Sequence, residues 1–300
     1  MALKITPASE PIPVTRITMA LYGDPGVGKT TLAFTADTPL LFDFDNGAHR
    51  ATNRQDVVRV SSWADVDGVT IADLAPYSTV IVDTAGRMLD ALAADIIASD
   101  AKLGRGGVLS QQGWGRLKQR FTAWLKMLNQ SGKDVVLIAH GTEKLDGETV
   151  NARLDVQGGS KDEIYKSVDA MGRVFIKNGK RVVCFDPTES AFGKNPGQFG
   201  LLEVPSPITP DFLARVLADT KEALNAQTEA MREAAKLLDE WRDAIALLET
   251  AEDFNGKLTA IKQQSKPIQK LFADAATAKG LHFDAAAKQY AAATEQDEAA

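Results

Sequence analysis

Gly23, Gly28, Lys29 and Thr30 stand in "GDPGVGKT" at the spacing G-x-x-x-x-G-K-[ST]. Each residue type answers a need of a chain of phosphates. Glycines let the backbone curl until several N–H groups converge, which makes a nest for an anion. A helix starting near Thr30 turns its positive end toward the same point. Lys29 supplies a mobile cation for β- and γ-phosphates, and the Thr30 hydroxyl is a ligand for Mg2+. Asp24, Pro25, Gly26, Val27 and Thr31 fill out the cradle. At average glycine usage the four fixed positions arise by accident in roughly one chain in a hundred of this length. Here an apolar run precedes the loop and a helical stretch follows it, as the motif requires.

A metal held between two phosphates needs a further oxygen ligand. "STVIVD" ends an apolar run in Asp83. That places a carboxylate at the carboxyl edge of a buried strand, where open α/β sheets bind ligands. Asp83 also suits a helix N-cap, because a helical stretch begins soon after; the two roles are compatible, and the loop upstream favours the metal. "DTAG" at 83–86 fits the D-x-x-G of GTPases as well. The guanine-reading N-K-x-D is missing, since Glu143-Lys144-Leu145-Asp146 has Glu in the Asn place and is displaced from its strand end. ATP and Mg2+ are the expected ligands.

Loop and acid meet only if a sheet brings them together. Short β-rich apolar runs lie at 16–22, 39–45, 56–60, 78–83, 134–140, 172–176 and 181–186, with helical stretches at 30–36, 86–98 and 114–130 between them. Several runs are continuously apolar, which suits strands covered on both faces. The alternation predicts a wound, mainly parallel α/β sheet. Runs 172–176 and 181–186, joined across "KNGK", read as a terminal hairpin. Four segments are expected: an extended arm with three prolines over 1–14, a P-loop domain over 15–205, an all-helical domain without strand-like runs over 211–293, and a disordered acidic tail over 294–300. Pro267 starts a late helix and Gly280 ends it.

The chain has 300 residues, of which 44% are hydrophobic and 25% charged, with a net charge of −6. An acidic total leaves room for nucleic-acid binding only through a local patch. The longest apolar runs, such as "VVLIA" at 135–139, are far short of a membrane span, and no signal-peptide pattern opens the chain. The single cysteine, Cys184, allows no internal disulfide and suits a reducing cytoplasm. His49, His140 and His282 share no ligand spacing with it, so zinc is not expected.

"YGDPGVGKTTLA", "PLLFDFDNG", "VIVDTAG", "VVLIAH" and "FGKNPG", in this order over roughly 15–200, resemble the RecA-like P-loop ATPases of bacteriophages, the Sak-type single-strand annealing group. The resemblance implies a RecA-like core and a location in the host bacterial cytoplasm. It implies a homo-oligomeric ring or filament on single-stranded DNA, with a single-strand-binding protein as a further candidate partner. It puts Asp45 where such enzymes carry the acid that orients the attacking water; their residue is usually Glu, and the shorter Asp reaches less far. Asp45 also fits a turn residue in "DNG". The resemblance puts His140 at the position of a polar γ-phosphate sensor, and makes Lys194 a cation extended into the neighbouring subunit's nucleotide.

Between Asp100 and Asp134 there are seven cations and no acid: Lys102, Arg105, Arg116, Lys118, Arg120, Lys126 and Lys133. "KLGRGGVLSQQGWG" opens this stretch as a glycine-rich, mobile loop holding Trp114. Lys102, Arg105, Trp114 and Arg116 are therefore the expected single-stranded DNA contacts, by phosphate neutralisation and base stacking. A solvated helix face is the alternative. The loop 141–160 is a second DNA candidate and equally suits a hairpin, while Phe121 and Trp124 read as core. The expected function is ATP-dependent binding and annealing of single strands in phage recombination. The rivals are a motor ATPase or kinase without annealing activity, and a scaffold that nucleotide merely stabilises.

Overall fold

The computed structural model describes residues 3, 5, 6, 10, 12–146, 149–156 and 160–292. In chain order the first elements are β1 (Thr18–Gly23), α1 (Lys29–Ala33), β2 (Pro39–Asp43), β3 (Asp56–Arg59), α2 (Ala64–Asp67), β4 (Thr79–Asp83) and α3 (Ala85–Ser99). A short hairpin, β5 (Gly104–Arg105) and β6 (Val108–Leu109), leads into α4 (Gln111–Gln130). Then come β7 (Asp134–Asp146), β8 (Thr149–Leu154), α5 (Ser160–Ser167), β9 (Ala170–Lys177), β10 (Lys180–Cys184) and β11 (Leu202–Glu203).

The sheet order is β11-β10-β9-β1-β7-β4-β2-β3. Pairings from β9 through to β3 are parallel; β10 is antiparallel to both β9 and β11. This is a P-loop ATPase-like core with a mainly parallel sheet, as the alternation of elements predicts. The apolar runs have a direct cause. Met19 and Leu21 of β1 enter one core, Ala20 and Tyr22 the other, and β2, β4 and β7 alternate in the same way. Both faces are covered, so the middle positions of these strands are apolar and polar residues such as Asp43, Asp83 and Asp134 stand at their ends. One face packs on α3 and α4, through residues such as Met88, Leu92, Leu117, Phe121 and Trp124. The other packs on Leu32 and Ala33 of α1 and on Leu213, Val216 and Leu217. Each such side chain contributes about 1.5–3 kcal/mol on burial. Beyond residue 140, β7 continues and pairs with β8 from Gly141↔Leu154 to Asp146↔Thr149, so the hairpin alternative holds there. Residues 147, 148 and 157–159 of that stretch lie outside the described residues.

β1 ends at Gly23, where a Cβ would lie 2.1 Å from the carbonyl oxygen of Val174 on β9. A backbone oxygen cannot rotate away. Gly23→Ala is expected to lower stability by about 1–3 kcal/mol, read from urea unfolding; an unchanged midpoint would contradict this close approach.

The helix α6 (Phe212–Ala246) begins inside the compact unit Pro13–Asn225. Its first turn is tied to the end of α1: the Leu213 amide donates to Thr35 Oγ1 at 2.9 Å and the Ala214 amide to Thr35 O at 3.0 Å. Val14, at the end of the arm, exchanges two hydrogen bonds with the Asn225 side chain, at 2.7 and 3.1 Å. A second compact unit holds the chain from Ala226 onward, with α7 (Ala251–Ile261), α8 (Lys266–Ala278), β12 (Leu281–Asp284) and β13 (Gln289–Ala292). Pro267 lies in the first turn of α8 and Gly280 follows its end at φ 71°. The β12–β13 hairpin corrects the expectation of an all-helical segment. "LHFDAAAKQYA" carries little strand propensity of its own. Its pairing is held by tertiary contacts: Tyr290 packs on Phe254 and Phe272, and the Asn255 side chain bonds both the amide and the carbonyl of Tyr290. Residues 294–300 lie outside the described residues, as does much of the arm. Among the described residues no helix is long and apolar enough to cross a membrane.

Candidate nucleotide-binding site

β1 delivers the chain to the loop 24–28, and α1 leaves it. Gly26 and Gly28 sit at φ 77° and 89°, a left-handed backbone that favours glycine, and this curls the loop. Regular helix follows for only five residues, Lys29–Ala33, so the converging amides carry the anion site more than a helix dipole does. Lys29 is 5% exposed and folds back over the loop, donating to Gly23 O and Asp24 O, both at 2.8 Å. Burial pulls its pKa below the ordinary lysine value, opposed by the charges of Asp83, Asp24 and Asp45. An ammonium has three N–H donors, so one remains for an anion.

β4 ends in Asp83, 4% exposed, beside Asp43 of β2 and Ile138 of β7. Thr30 Oγ1 donates to Asp83 Oδ2 at 2.6 Å. Burial pushes the Asp83 carboxyl up to about 6; the Thr30 hydrogen bond opposes this and the Asp43 and Asp45 charges add to it. A hydroxyl touching a desolvated carboxylate fits Mg2+, which takes oxygen ligands, needs few from protein, and keeps waters and phosphates for the rest. The N-cap of α3 is Thr84, whose Oγ1 accepts from the Arg87 amide, so Asp83 is not spent on capping.

The sequence reading ends this strand at Asp45, whereas the strand ends two residues earlier. The strand stops at Asp43, which is buried and accepts from the Gly47 and Ala48 amides, each at 3.0 Å. Asp43 therefore builds the turn, with Asn46 at φ 51°. Asp45 lines the cavity instead. Its amide donates to Asp83 O at 3.2 Å, and its carboxylate pairs with Arg50 at 3.4 Å and Arg87 at 3.7 Å. His140 on β7 lies beside Gly23 and is half-buried, with Nδ1 buried and without a hydrogen-bond partner. Burial first, and then the Lys29 charge, hold its pKa below the usual histidine range, which keeps the ring neutral at pH 7.

Together Gly28, Lys29, Thr30, Asp45, Asp83 and His140 line a cavity of 580 Å³, within the range of small-molecule sites. Gly47, Arg50, Ala51 and Arg181 also line the cavity, and no sequence motif singles them out. Arg181 of β10 lies against the loop, so that a Cβ on Gly28 would sit 2.6 Å from its guanidinium carbon. The adjacency of β9 to β1 brings it there, and no local motif signals it.

Lys194 is not brought to this cavity. Its Nζ donates to Val168 O at 2.7 Å and lies 4.8 Å from the centre of the Tyr165 ring. Asn195 beside it bonds Asp186 and Phe199. Within its own chain this lysine holds its loop to Val168.

The basic stretch is also altered by folding. Ser110 caps α4, accepting from the Gly113 amide at 3.2 Å, so Trp114 stands on a helix and not in a mobile loop, with Arg116 on the same helix as expected. Gly113 is buried there, where a Cβ would meet Leu103 O at 2.3 Å. Trp114 is half-buried against the core, which reduces it as a stacking platform. Of the seven cations, Lys118 pairs with Glu163, and Arg120 with Asp95 and Asp67. Lys102, Arg105 and Arg116 have no carboxylate partner among the described residues; Arg116 bonds Gln119. Gly106 and Gly107 turn the β5–β6 hairpin beside them at φ 59° and 81°.

The family model described as an AAA domain matches residues 15–196. No curated protein matches the chain. Among solved structures, a prototypical ATPase from the type III secretion system of pathogenic bacteria is similar at 14% identity and a TM-score of 0.35. That match covers 53% of this chain and 52% of the other, so this chain spans about half the length of that protein. With a family match over the whole length from β1 to the loop beyond β10, the chain belongs to the AAA domain family of P-loop ATPase domains.

Proposed function

We propose that the chain is a RecA-like ATPase that binds single-stranded DNA and promotes annealing in phage DNA recombination. The observation that carries the ATPase half is the Thr30–Asp83 contact beneath Lys29, with Asp45 and His140 lining the same cavity. The loop amides and Lys29 bind and orient the triphosphate. When bound by Thr30 and Asp83, Mg2+ neutralises charge on the β- and γ-phosphates. Asp45, steadied by Arg50 and Arg87, orients a water and accepts its proton. His140 donates to a phosphate oxygen and, from β7, passes the phosphate state to the β7–β8 hairpin. Lys102, Arg105 and Arg116 bind the DNA backbone. They lie beyond α3, which begins two residues after Asp83 and covers about 20 Å. ATP shifts the chain toward its DNA-competent state through a difference in affinity, and several copies assemble on one strand.

The test is ATP hydrolysis with and without single-stranded DNA. Stimulation by DNA is expected; turnover indifferent to DNA would favour a motor ATPase or kinase. A second reading, a scaffold stabilised by nucleotide, draws on the two arginines that occupy the Asp45 carboxylate. Thermal stabilisation by ATP without turnover, unaltered in Asp45→Ala, would select it. For the DNA patch, changing Lys102, Arg105 and Arg116 together to alanine is expected to weaken binding and to reduce the salt slope by about 2. A fluorescence titration across salt concentrations reads this, and an unchanged slope removes these residues from the interface.

A further inference from the structure

Arg181 is out of character for a surface strand. It sits next to the β9–β10 turn, paired with Ile176, with its carbonyl accepting from the Val204 amide at 2.8 Å. Its side chain leaves the hairpin and lies over the phosphate loop. The guanidinium carbon and Nη2 stand 2.6 Å from where a Gly28 Cβ would be, and Nε stands 3.0 Å away. Among the described residues Nε is buried without a hydrogen-bond partner, and no carboxylate pairs with the group. A buried guanidinium N–H without an acceptor is costly unless an anion completes it. The Gly28 amide belongs to the part of such loops that cradles the α- and β-phosphates, whereas Asp45, Asp83 and His140 surround the γ-phosphate end.

We propose that Arg181 is a nucleotide-binding residue acting within its own chain, hydrogen-bonding the α/β-phosphates of a nucleoside di- or triphosphate against Gly28. This rests on the reading of the loop as a nucleotide site and goes beyond it in two ways. The cation that covers the phosphates comes from the β10 edge hairpin, and it recognises what ATP and ADP share. It therefore contributes affinity to both, and little to the difference between them. Without a Cβ, Gly28 leaves room for a planar guanidinium to lie flat on the loop; any other residue there would displace it.

The experiment is equilibrium titration of the full chain with MgATP and MgADP, for the wild type, Arg181→Ala and Arg181→Gln. Apo unfolding of each variant monitors folding. Loss of affinity by about 10- to 100-fold is expected, by nearly the same factor for both nucleotides. Arg181→Gln keeps most of the packing, so it decides the matter if the alanine variant does not fold. Wild-type ADP affinity in a folded variant overturns the proposal and leaves the nucleotide site standing. A loss confined to ATP overturns it as well, since that would place the group on the γ-phosphate. If the wild type binds neither nucleotide, the underlying reading fails together with the proposal.

Discussion

Lys29→Ala is expected to reduce ATP turnover by at least about 10²–10³-fold, the scale of losing one preorganised donor to developing charge. Two losses coincide in this variant. The ammonium that neutralises the phosphates is removed, and the carbonyls of Gly23 and Asp24, which it ties together at 2.8 Å, lose their shared donor. The loop then has to close without its internal brace. Phosphate release at saturating MgATP measures the first loss, and the MgADP dissociation constant measures the second. Turnover within tenfold of the wild type would mean that Lys29 does not face the reacting phosphate.

Asp83→Asn is expected to do opposite things to stability and to function. The carboxyl rises from 3.8 in the unfolded chain to about 6 in the folded one, mainly through burial. A raised acid pKa stabilises the folded state while the group is protonated. That contribution is complete below about 3.8 and is lost as pH rises through about 6. At pH 8 the nucleotide-free chain thus carries a buried carboxylate at a cost of up to about 3 kcal/mol. The asparagine variant avoids this cost, so its urea midpoint should exceed the wild type's at pH 8, and the gap should close near pH 4. Function moves the other way, because the variant loses a negatively charged metal ligand and Mg2+-dependent turnover should collapse. Such an exchange of stability for activity is expected where a site keeps an unpaired charge for its ligand. Equal stabilities at pH 8 would show that Asp83 is better solvated than its surroundings suggest.

The chemistry at the loop was legible because all its parts are local in sequence. Nine consecutive residues, 23–31, carry the cradle, and an apolar strand points Asp83 at it. Strand positions were legible for a related reason: two covered faces leave no alternation, and the runs stand out. Illegible features depend on distant neighbours. Arg181 reaches Gly28 across more than 150 positions of sequence, through a sheet order that no single strand encodes. Gly113 and Gly115 beside Trp114 looked like a loop, yet Gly113 is the residue small enough for α4 to pass Leu103 O. Asp43 and Asp45 look interchangeable until the Gly47 and Ala48 amides choose between them. Lys118 and Arg120 add to a run that reads as purely cationic, because their acidic partners come from other elements.

The central claim is that the curled amides of 23–28, the Lys29 ammonium and the Thr30–Asp83 pair hold MgATP. Calorimetric titration of the full chain with ATP, in the presence and absence of Mg2+, tests it directly. Saturable binding of one nucleotide per chain, tightened by Mg2+ and weakened in Lys29→Ala, is the predicted result. Absence of binding by the folded wild-type chain, or binding that Lys29→Ala leaves intact, would contradict it.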